Sequence, residues 1–136
     1  MEWEKEIMKK RSKHKARVAN IPMMDRTRRG LALELHMAIV TLIEAPSPDA
    51  YNTLAKMLAS MCRAGVTGHG IDASTHALTL ICERFERIGK VGVSDAEADI
   101  LRSAAGELDV ELARVPVNKI MESVATVSYH CAEMGA

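Results

Sequence analysis

Aromatic side chains are scarce in this chain, which has one Phe, one Trp and two Tyr among 136 residues. Proteins that bind single-stranded nucleic acid commonly stack its bases on exposed aromatic rings. Trp3 is the one aromatic residue in the basic amino-terminal segment, so the sequence does not favour base stacking. Nine Met residues are present, and their flexible thioethers pack well between helices. We therefore expect a core of aliphatic and Met side chains.

Long apolar runs are also missing. The longest covers residues 37–43 and is interrupted by Thr41, whereas about 20 apolar residues are needed to span a bilayer. The amino terminus is basic but lacks the apolar stretch of a secretory signal. The three cysteines, Cys62, Cys82 and Cys131, form an odd set that we expect to be reduced. These absences predict a cytoplasmic protein without a membrane-spanning segment.

No stretch alternates apolar and polar residues as a strand would, except residues 90–93, which are too few to count. Apolar residues instead recur at helical spacing in five segments. The sequence predicts an all-α fold, a compact bundle of about five helices with a basic N-terminal arm. The predicted apolar faces are, in chain order, Leu31, Leu35, Ile39, Leu42 and Ile43; Tyr51, Leu54, Met57, Leu58 and Met61; Ala77, Leu78, Ile81, Phe85 and Ile88; Leu101, Ala104, Ala105, Leu108 and Leu112; and Ile120, Val124, Val127, Cys131 and Met134.

Residues that favour helix ends give the boundaries of the first two strong helices. The first covers residues 25–45, and Asp25 is a suitable N-cap. Ser47 is a good cap for the second, and Pro48 suits its first helical position. We expect the second helix to end near residue 64.

The later helices have equally clear end signals. The third is predicted over residues 72–88, and Gly89 would end it in the left-handed conformation. Ser94 and Glu97 form a capping box that opens the fourth helix. Pro116 separates the fourth helix from the fifth.

Charge is distributed unevenly although the formal net charge is zero. The first thirty residues carry ten Lys or Arg against four Asp or Glu, and the remaining 106 carry eight against fourteen. Residues 9–17 hold six Lys or Arg and no acid. Such a cluster creates a local positive potential that attracts polyanions or acidic protein surfaces.

The leading hypothesis is a small accessory binding protein whose basic arm engages nucleic acid by neutralising phosphates. Residues 1–22 would form the arm or a helix, and residues 23–136 a single helical domain, because Pro22 disfavours helix in the residue before it. The residues proposed to bind nucleic acid are Lys9, Lys10, Arg11, Lys13, Lys15 and Arg17, followed by Arg26, Arg28 and Arg29.

Other roles for these charges stay open. The arm could be a solvated tail, could dock on the acidic body of its own chain, or could bind an acidic protein partner. The second hypothesis is a protein-interaction module, either an inhibitor of a host nucleoprotein complex or a homo-oligomer that associates through helix faces. An exposed aliphatic and Met patch, or an acidic surface that mimics nucleic acid, would distinguish this hypothesis from nucleic-acid binding by the arm. The acidic candidates are Glu97, Asp99, Glu107, Asp109 and Glu111.

Signatures of catalysis are absent from the sequence, which contains no nucleophile elbow, phosphate-binding loop with its Lys, or zinc-protease helix motif. Cys62, His69, His76 and Cys82 are residue types that bind zinc, but their spacing is wider than in structural zinc sites. We expect core thiols and surface imidazoles, no metal or other cofactor, and no enzymatic activity. A metal-dependent enzyme is the third and weakest hypothesis.

Two further features are expected to be structural. Residues 65–70 contain three Gly before a helix, as phosphate-binding loops do, but they follow a helix and lack a Lys. We expect a wide turn or hinge there. The acids Glu107, Asp109 and Glu111 are expected on a solvated face.

Three short segments carry a resemblance. Residues 11–15 (Arg-Ser-Lys-His-Lys), 20–24 (Asn-Ile-Pro-Met-Met) and 91–94 (Val-Gly-Val-Ser) make the chain resemble small proteins of unassigned activity carried by phages and other mobile elements of proteobacteria. The resemblance covers most of the chain and includes no catalytic signature. It implies a genetic setting in which small helical proteins bind nucleic acid or inhibit host machinery, and it assigns no residue a role.

Overall fold

Between residues 26 and 133, five helices follow one another, joined by short connections. The computed structural model describes residues 26–133. The helices are α1 over residues 26–44, α2 over Pro48–Arg63, α3 over His69–Ile88, α4 over Asp95–Ala113 and α5 over Val117–Glu133. No strand occurs between residues 26 and 133, and the predicted all-α helical bundle is confirmed.

Local capping fixes the starts of α2 and α4. The Ser47 hydroxyl oxygen accepts a hydrogen bond from the Ala50 N–H at 3.0 Å, and Pro48 occupies the first helical position. At α4 the Glu97 N–H donates to the Ser94 hydroxyl, and the Ser94 N–H donates back to the Glu97 carboxylate at 3.0 Å. Both caps are as the sequence predicts, because each satisfies amide groups that a helix start leaves unpaired.

The ends of α3 depend on different interactions. Gly89 ends the helix in the left-handed conformation with φ of 73°, as predicted, and its N–H donates to the Phe85 carbonyl at 2.7 Å. The start was predicted at residue 72, but the helix begins three residues earlier, at His69. The reason lies in α4, where Glu111 accepts hydrogen bonds from two amides of this first turn.

The core contains a side chain from every helix. Helix α3 packs mainly on α4, and α2 packs on α5 and, less extensively, on α3. The large side chains that are almost completely buried are Leu35, Leu42, Leu54, Ile81, Leu101, Leu108 and Ile120. Because aliphatic residues fill this centre, the low aromatic content of the chain does not prevent a packed interior.

Two residues predicted for the apolar face of α3 are not in the core. Phe85 is 39% exposed and Ile88 is 58% exposed, so this part of the prediction is wrong. Phe85 lines a groove together with Pro48, where α2 begins, so no preceding turn of α2 covers the last turn of α3. Members of the other predicted faces are half-buried: Leu31, Ile43, Tyr51, Met57, Val124, Val127 and Cys131.

Several predictions concern residues outside the described range. The Asp25 cap, the contribution of Met134 to α5 and the domain boundary between residues 22 and 23 all fall there and stay predictions. Between residues 26 and 133, no helix has the length and apolarity required to cross a membrane.

Candidate interaction surfaces

Three of the predicted nucleic-acid-binding residues lie at the start of α1. Arg26 and Arg29 are exposed, whereas Arg28 is half-buried and donates a hydrogen bond to the Val115 carbonyl at 3.4 Å. None of the three forms an ion pair with a carboxylate of residues 26–133. The other six, Lys9, Lys10, Arg11, Lys13, Lys15 and Arg17, lie outside the described residues. Arg26 and Arg29 thus place two positive charges in solvent at this end of α1.

The predicted acidic surface loses two of its five members. Glu97 and Glu111 are only 3% and 5% exposed. The Arg84 guanidinium forms two hydrogen bonds with the Glu97 carboxylate, which holds the pKa of Glu97 below its ordinary value. Both carboxylates are thus directed into the protein rather than toward an outside partner. The remaining members, Asp99, Glu107 and Asp109, are exposed or half-buried.

Glu111 shows what the Gly-rich connection does. Its carboxylate oxygens accept hydrogen bonds from the Gly70 N–H at 2.8 Å and the Ile71 N–H at 2.9 Å. The amino-terminal amides of a helix attract anions, and here the anion is a side chain of the same chain. A Cβ on Gly68 or Gly70 would lie 2.6 Å from this carboxyl group. The segment therefore binds an internal carboxylate, as a phosphate-binding loop binds a phosphate, and it is structural.

Of the residues considered as zinc ligands, His69 and His76 line one cavity, and Cys62 and Cys82 do not line it. Cys62, His69 and His76 are exposed and Cys82 is half-buried, and in the described part of the chain no three His, Cys, Asp or Glu side chains form a group that could hold a metal ion. The exposure of Cys62 contradicts the expectation of a core thiol. It follows the buried Met61 by one position, and consecutive helical residues point about 100° apart.

His69 has a carboxylate partner in α4. Its Nδ1 lies 2.7 Å from Glu107 Oε2, and this contact raises the pKa of the imidazole. The pair lies at the start of α3, beside the buried Glu111 interaction. It connects α3 to α4 at the protein surface.

Helix α1 is apolar on two opposite faces. Leu35 and Leu42 are buried in the core, whereas Leu33, Met37 and Val40 are 61%, 59% and 57% exposed. At 100° per residue, Leu42 lies 180° from Leu33 around the helix. A helix that covers only one side of a core needs only one apolar face. Leu33 and Met37 lie outside the core of the described chain, whereas Val40 borders a groove against α4.

The exposed face continues in both directions along α1 with a regular spacing. Its six positions are alternately four and three residues apart, which is the spacing of a coiled-coil seam. In chain order they are Arg26, Gly30, Leu33, Met37, Val40 and Glu44. All six are exposed, and within residues 26–133 neither Arg26 nor Glu44 has an ion-pair partner. We call this set the outer face of α1.

Two concavities border α1. A groove of about 270 Å³ lies between α1 and α4 and is lined by Val40 and Gly106 among others, beside the pair in which His36 Nε2 lies 2.8 Å from Asp109 Oδ2. A second cavity of about 250 Å³ lies where α1, α2 and α5 meet, and Leu31, Met57, Met61 and Val124 are among its lining residues.

The chain matches no protein-family model, no curated protein and no solved structure.

Sequence reasoning did not identify the outer face of α1. The predicted apolar face of α1 was the opposite one, which includes Leu35 and Leu42, because it has the larger number of apolar residues. The signal for the second face was present in the heptad spacing of Leu33, Met37 and Val40. An apolar residue on each side of one helix is ambiguous until the neighbouring helices show which side is covered.

Proposed function

We propose that this protein is a protein-interaction module whose binding surface is the outer face of α1. The observation that supports the proposal is the pair of opposite apolar faces on α1. Single exposed apolar residues are common on soluble proteins. Three at heptad spacing on one helix, with opposite charges at the two ends of the face, are the pattern by which helices recognise helices.

The composition of this face suits a helical partner. Leu33 and Val40 offer aliphatic contacts, and Met37 between them has a flexible side chain that adapts to the surface it meets. The face is continuous over about five turns, and no charged residue interrupts it between its two ends. It therefore presents a narrow apolar stripe rather than a cavity for a small molecule.

A pair of matched variants tests this proposal. Met37→Glu places a charge in the centre of the outer face, and Ile88→Glu places the same charge on α3 at a side chain of nearly equal exposure, 58% against 59%. We expect a stoichiometric protein complex, formed by the purified protein or recovered from nuclease-treated host lysate, that Met37→Glu abolishes and Ile88→Glu retains. Light scattering and quantitative pull-down measure it. Equal binding by both variants, or none by the wild type, rejects the proposal.

A second candidate function is nucleic-acid binding through the basic arm. It is favoured by the exposure of Arg26 and Arg29, which form no ion pair with carboxylates of residues 26–133 and continue the charge of residues 9–17. The resemblance to proteins of phages and mobile elements belongs to this proposal. So does a cytoplasmic location, for which the three free thiols are suitable.

Salt dependence tests the nucleic-acid proposal. Each Lys or Arg that neutralises a phosphate contributes roughly 0.7–0.9 to the slope of log affinity against log salt concentration. Charge reversal at Lys9, Lys10 and Arg11 should therefore flatten the slope by about 2–3 on a DNA or RNA duplex or single strand. Fluorescence anisotropy at several salt concentrations measures this. An unchanged affinity and slope would show that the cluster does not contact the phosphates.

A further inference from the structure

We propose that the partner of the outer face is a second copy of this chain, whose α1 lies antiparallel to the first across a two-fold axis. This inference rests on the proposed interaction function and specifies its partner. Three observations carry it: the opposite charges at the two ends of the face, the apolar residues between them, and a glycine that packing within residues 26–133 does not require.

The end charges determine the orientation. Arg26 lies at the amino-terminal end of the outer face and Glu44 at its other end, about 27 Å away at 1.5 Å per residue. An antiparallel pair places Arg26 beside Glu44 of the partner subunit, and the two-fold axis repeats this contact. A parallel pair would place Arg beside Arg at one end and Glu beside Glu at the other. Two attractive contacts thus replace two repulsive ones.

The same pairing sets the register of the apolar residues. If Arg26 is opposite the partner's Glu44, the two-fold axis passes at the level of residue 35, midway between them. Leu33 then lies opposite the partner's Met37, and Gly30 lies opposite the partner's Val40. Glu34 comes close to its own copy at the solvent edge of the axis, so one like-charge contact opposes the two Arg26 contacts. In this register the apolar residues of the outer face meet one another.

Gly30 supports close approach by a partner. A Cβ at this position would meet nothing within 4 Å inside the described chain, so intrachain packing does not exclude a larger residue. Gly within a helix is less favourable than Ala, because its backbone loses more conformational freedom on folding. In the antiparallel pair the missing side chain leaves room for Val40 of the partner subunit. Small residues in helix interfaces serve this purpose because they let two backbones approach each other.

The size of the contact predicts its strength. A stable interface commonly buries about 800 Å² on each partner. A single pair of helices about 27 Å long buries less surface than this. We therefore expect a monomer–dimer equilibrium that depends on protein concentration. Sedimentation velocity over a range of concentrations would display it directly.

Charge exchange tests the orientation. The variants are R26E, E44R and the double variant R26E/E44R, all at exposed residues, with folding checked by circular dichroism. Each single variant creates two repulsive contacts in an antiparallel homodimer, and we expect its dissociation constant to rise by roughly 3–10-fold. The double variant restores both contacts and should return to within about twofold of wild type. In a parallel dimer, neither single variant would weaken association.

Disulfide crosslinking provides a second measurement. Gly30→Cys and Val40→Cys are prepared separately in a Cys62→Ser background, because the native Cys62 thiol is exposed. An antiparallel pair brings Cys at position 30 of one chain beside Cys at position 40 of the other. Mild oxidation of the mixture should therefore give a crosslinked dimer, whereas Gly30→Cys alone should not. A crosslink formed by Gly30→Cys alone would overturn the antiparallel arrangement.

The outcomes separate this inference from the proposed function. If the wild type self-associates and Met37→Glu abolishes this, but charge exchange has no effect, the antiparallel pairing is wrong while the interaction surface stands. If the wild type stays monomeric but captures a different protein through Met37, the homodimer is likewise wrong while the interaction surface stands. If Met37→Glu changes neither self-association nor capture, both proposals fail.

Discussion

Glu111 was expected on a solvated face, as is usual for Glu, but the structure places it in the interior. It is buried, and its two oxygens accept the Gly70 and Ile71 amides at the start of α3. A carboxylate in this position satisfies two helix amides that would otherwise lack partners and interacts favourably with the helix dipole. One residue of α4 thus determines where α3 begins.

Glu111→Ala should destabilise the protein by about 2–4 kcal/mol, because two buried amide donors lose their acceptor. Glu111→Gln keeps one acceptor oxygen and should cost less. Urea unfolding followed by circular dichroism measures both. Glu122→Ala, at an exposed position of α5, is the control and should change stability by no more than about 0.5 kcal/mol. A Glu111→Ala variant as stable as this control would contradict the assigned role.

Glu97 predicts a pH dependence with a defined sign. Its pKa is lowered in the folded protein, first by the hydrogen bonds from Arg84, so its ionised form stabilises the fold above the ordinary value of 4.5. This contribution is lost as the pH falls through the lowered pKa. Glu97→Gln should therefore be less stable than wild type at pH 7, and the difference should shrink in acid.

Urea unfolding at neutral and acidic pH measures this difference. Asp99→Asn makes the same change of charge on an exposed side chain of α4 and serves as the control. A difference between wild type and Glu97→Gln that stays constant with pH would show that the charge of Glu97 does not contribute.

At the scale of elements, α1 has two faces with different energetic roles. Leu35 is 1% exposed and fills the core, whereas Leu33 is 61% exposed on the outer face. Leu35→Ala should cost about 2–5 kcal/mol of folding free energy through lost burial and a cavity. Leu33→Ala should change the stability of the monomer by no more than about 0.5 kcal/mol. Chemical unfolding at low protein concentration compares them, and equal losses would show that α1 is packed differently.

The ends of the helices were easier to predict from the sequence than the faces that are buried. Ser47 and Ser94 act as caps through hydrogen bonds to residues three positions away, so their role could be predicted from the local sequence. The start of α3 was wrong by three residues because Glu111, about forty positions later, supplies its acceptor. Phe85 and Ile88 have helical spacing but are exposed, and Phe85 borders a groove beside Pro48, where α2 begins.

At the scale of the whole molecule, the acidic body is less available than its composition suggests. Glu97 and Glu111 are buried and hydrogen-bonded, while Asp109 lies beside His36 and Glu107 beside His69. These four carboxylates thus bind partners within the chain, two of them in the interior and two at the surface. The exposed cations at the start of α1 and the apolar stripe that follows them remain as features that face outward.

Self-association would make thermal stability depend on protein concentration. Dimer formation stabilises the folded state by mass action, so the Tm of the wild type should rise as its concentration increases. The Tm of Met37→Glu should be independent of concentration, and that of the matched Ile88→Glu should follow the wild type. Differential scanning calorimetry at several concentrations measures this, and identical behaviour of all three proteins would contradict association through the outer face.

The candidate surface could be predicted in part. The second hypothesis anticipated an exposed aliphatic and Met patch on a helix, but the residues could not be chosen because α1 is apolar on both sides. Only the packing of α1 against the other helices showed that Leu35 is covered and Leu33 is not.

The sequence alone determined the helical class and most of the helix ends between residues 26 and 133, because apolar periodicity and capping depend on residues within a few positions of each other. Tertiary structure decided which of two apolar faces is buried and which acids are internal. Burial depends on neighbours distant in the chain, and the same Leu or Glu has opposite roles according to whether another helix covers it.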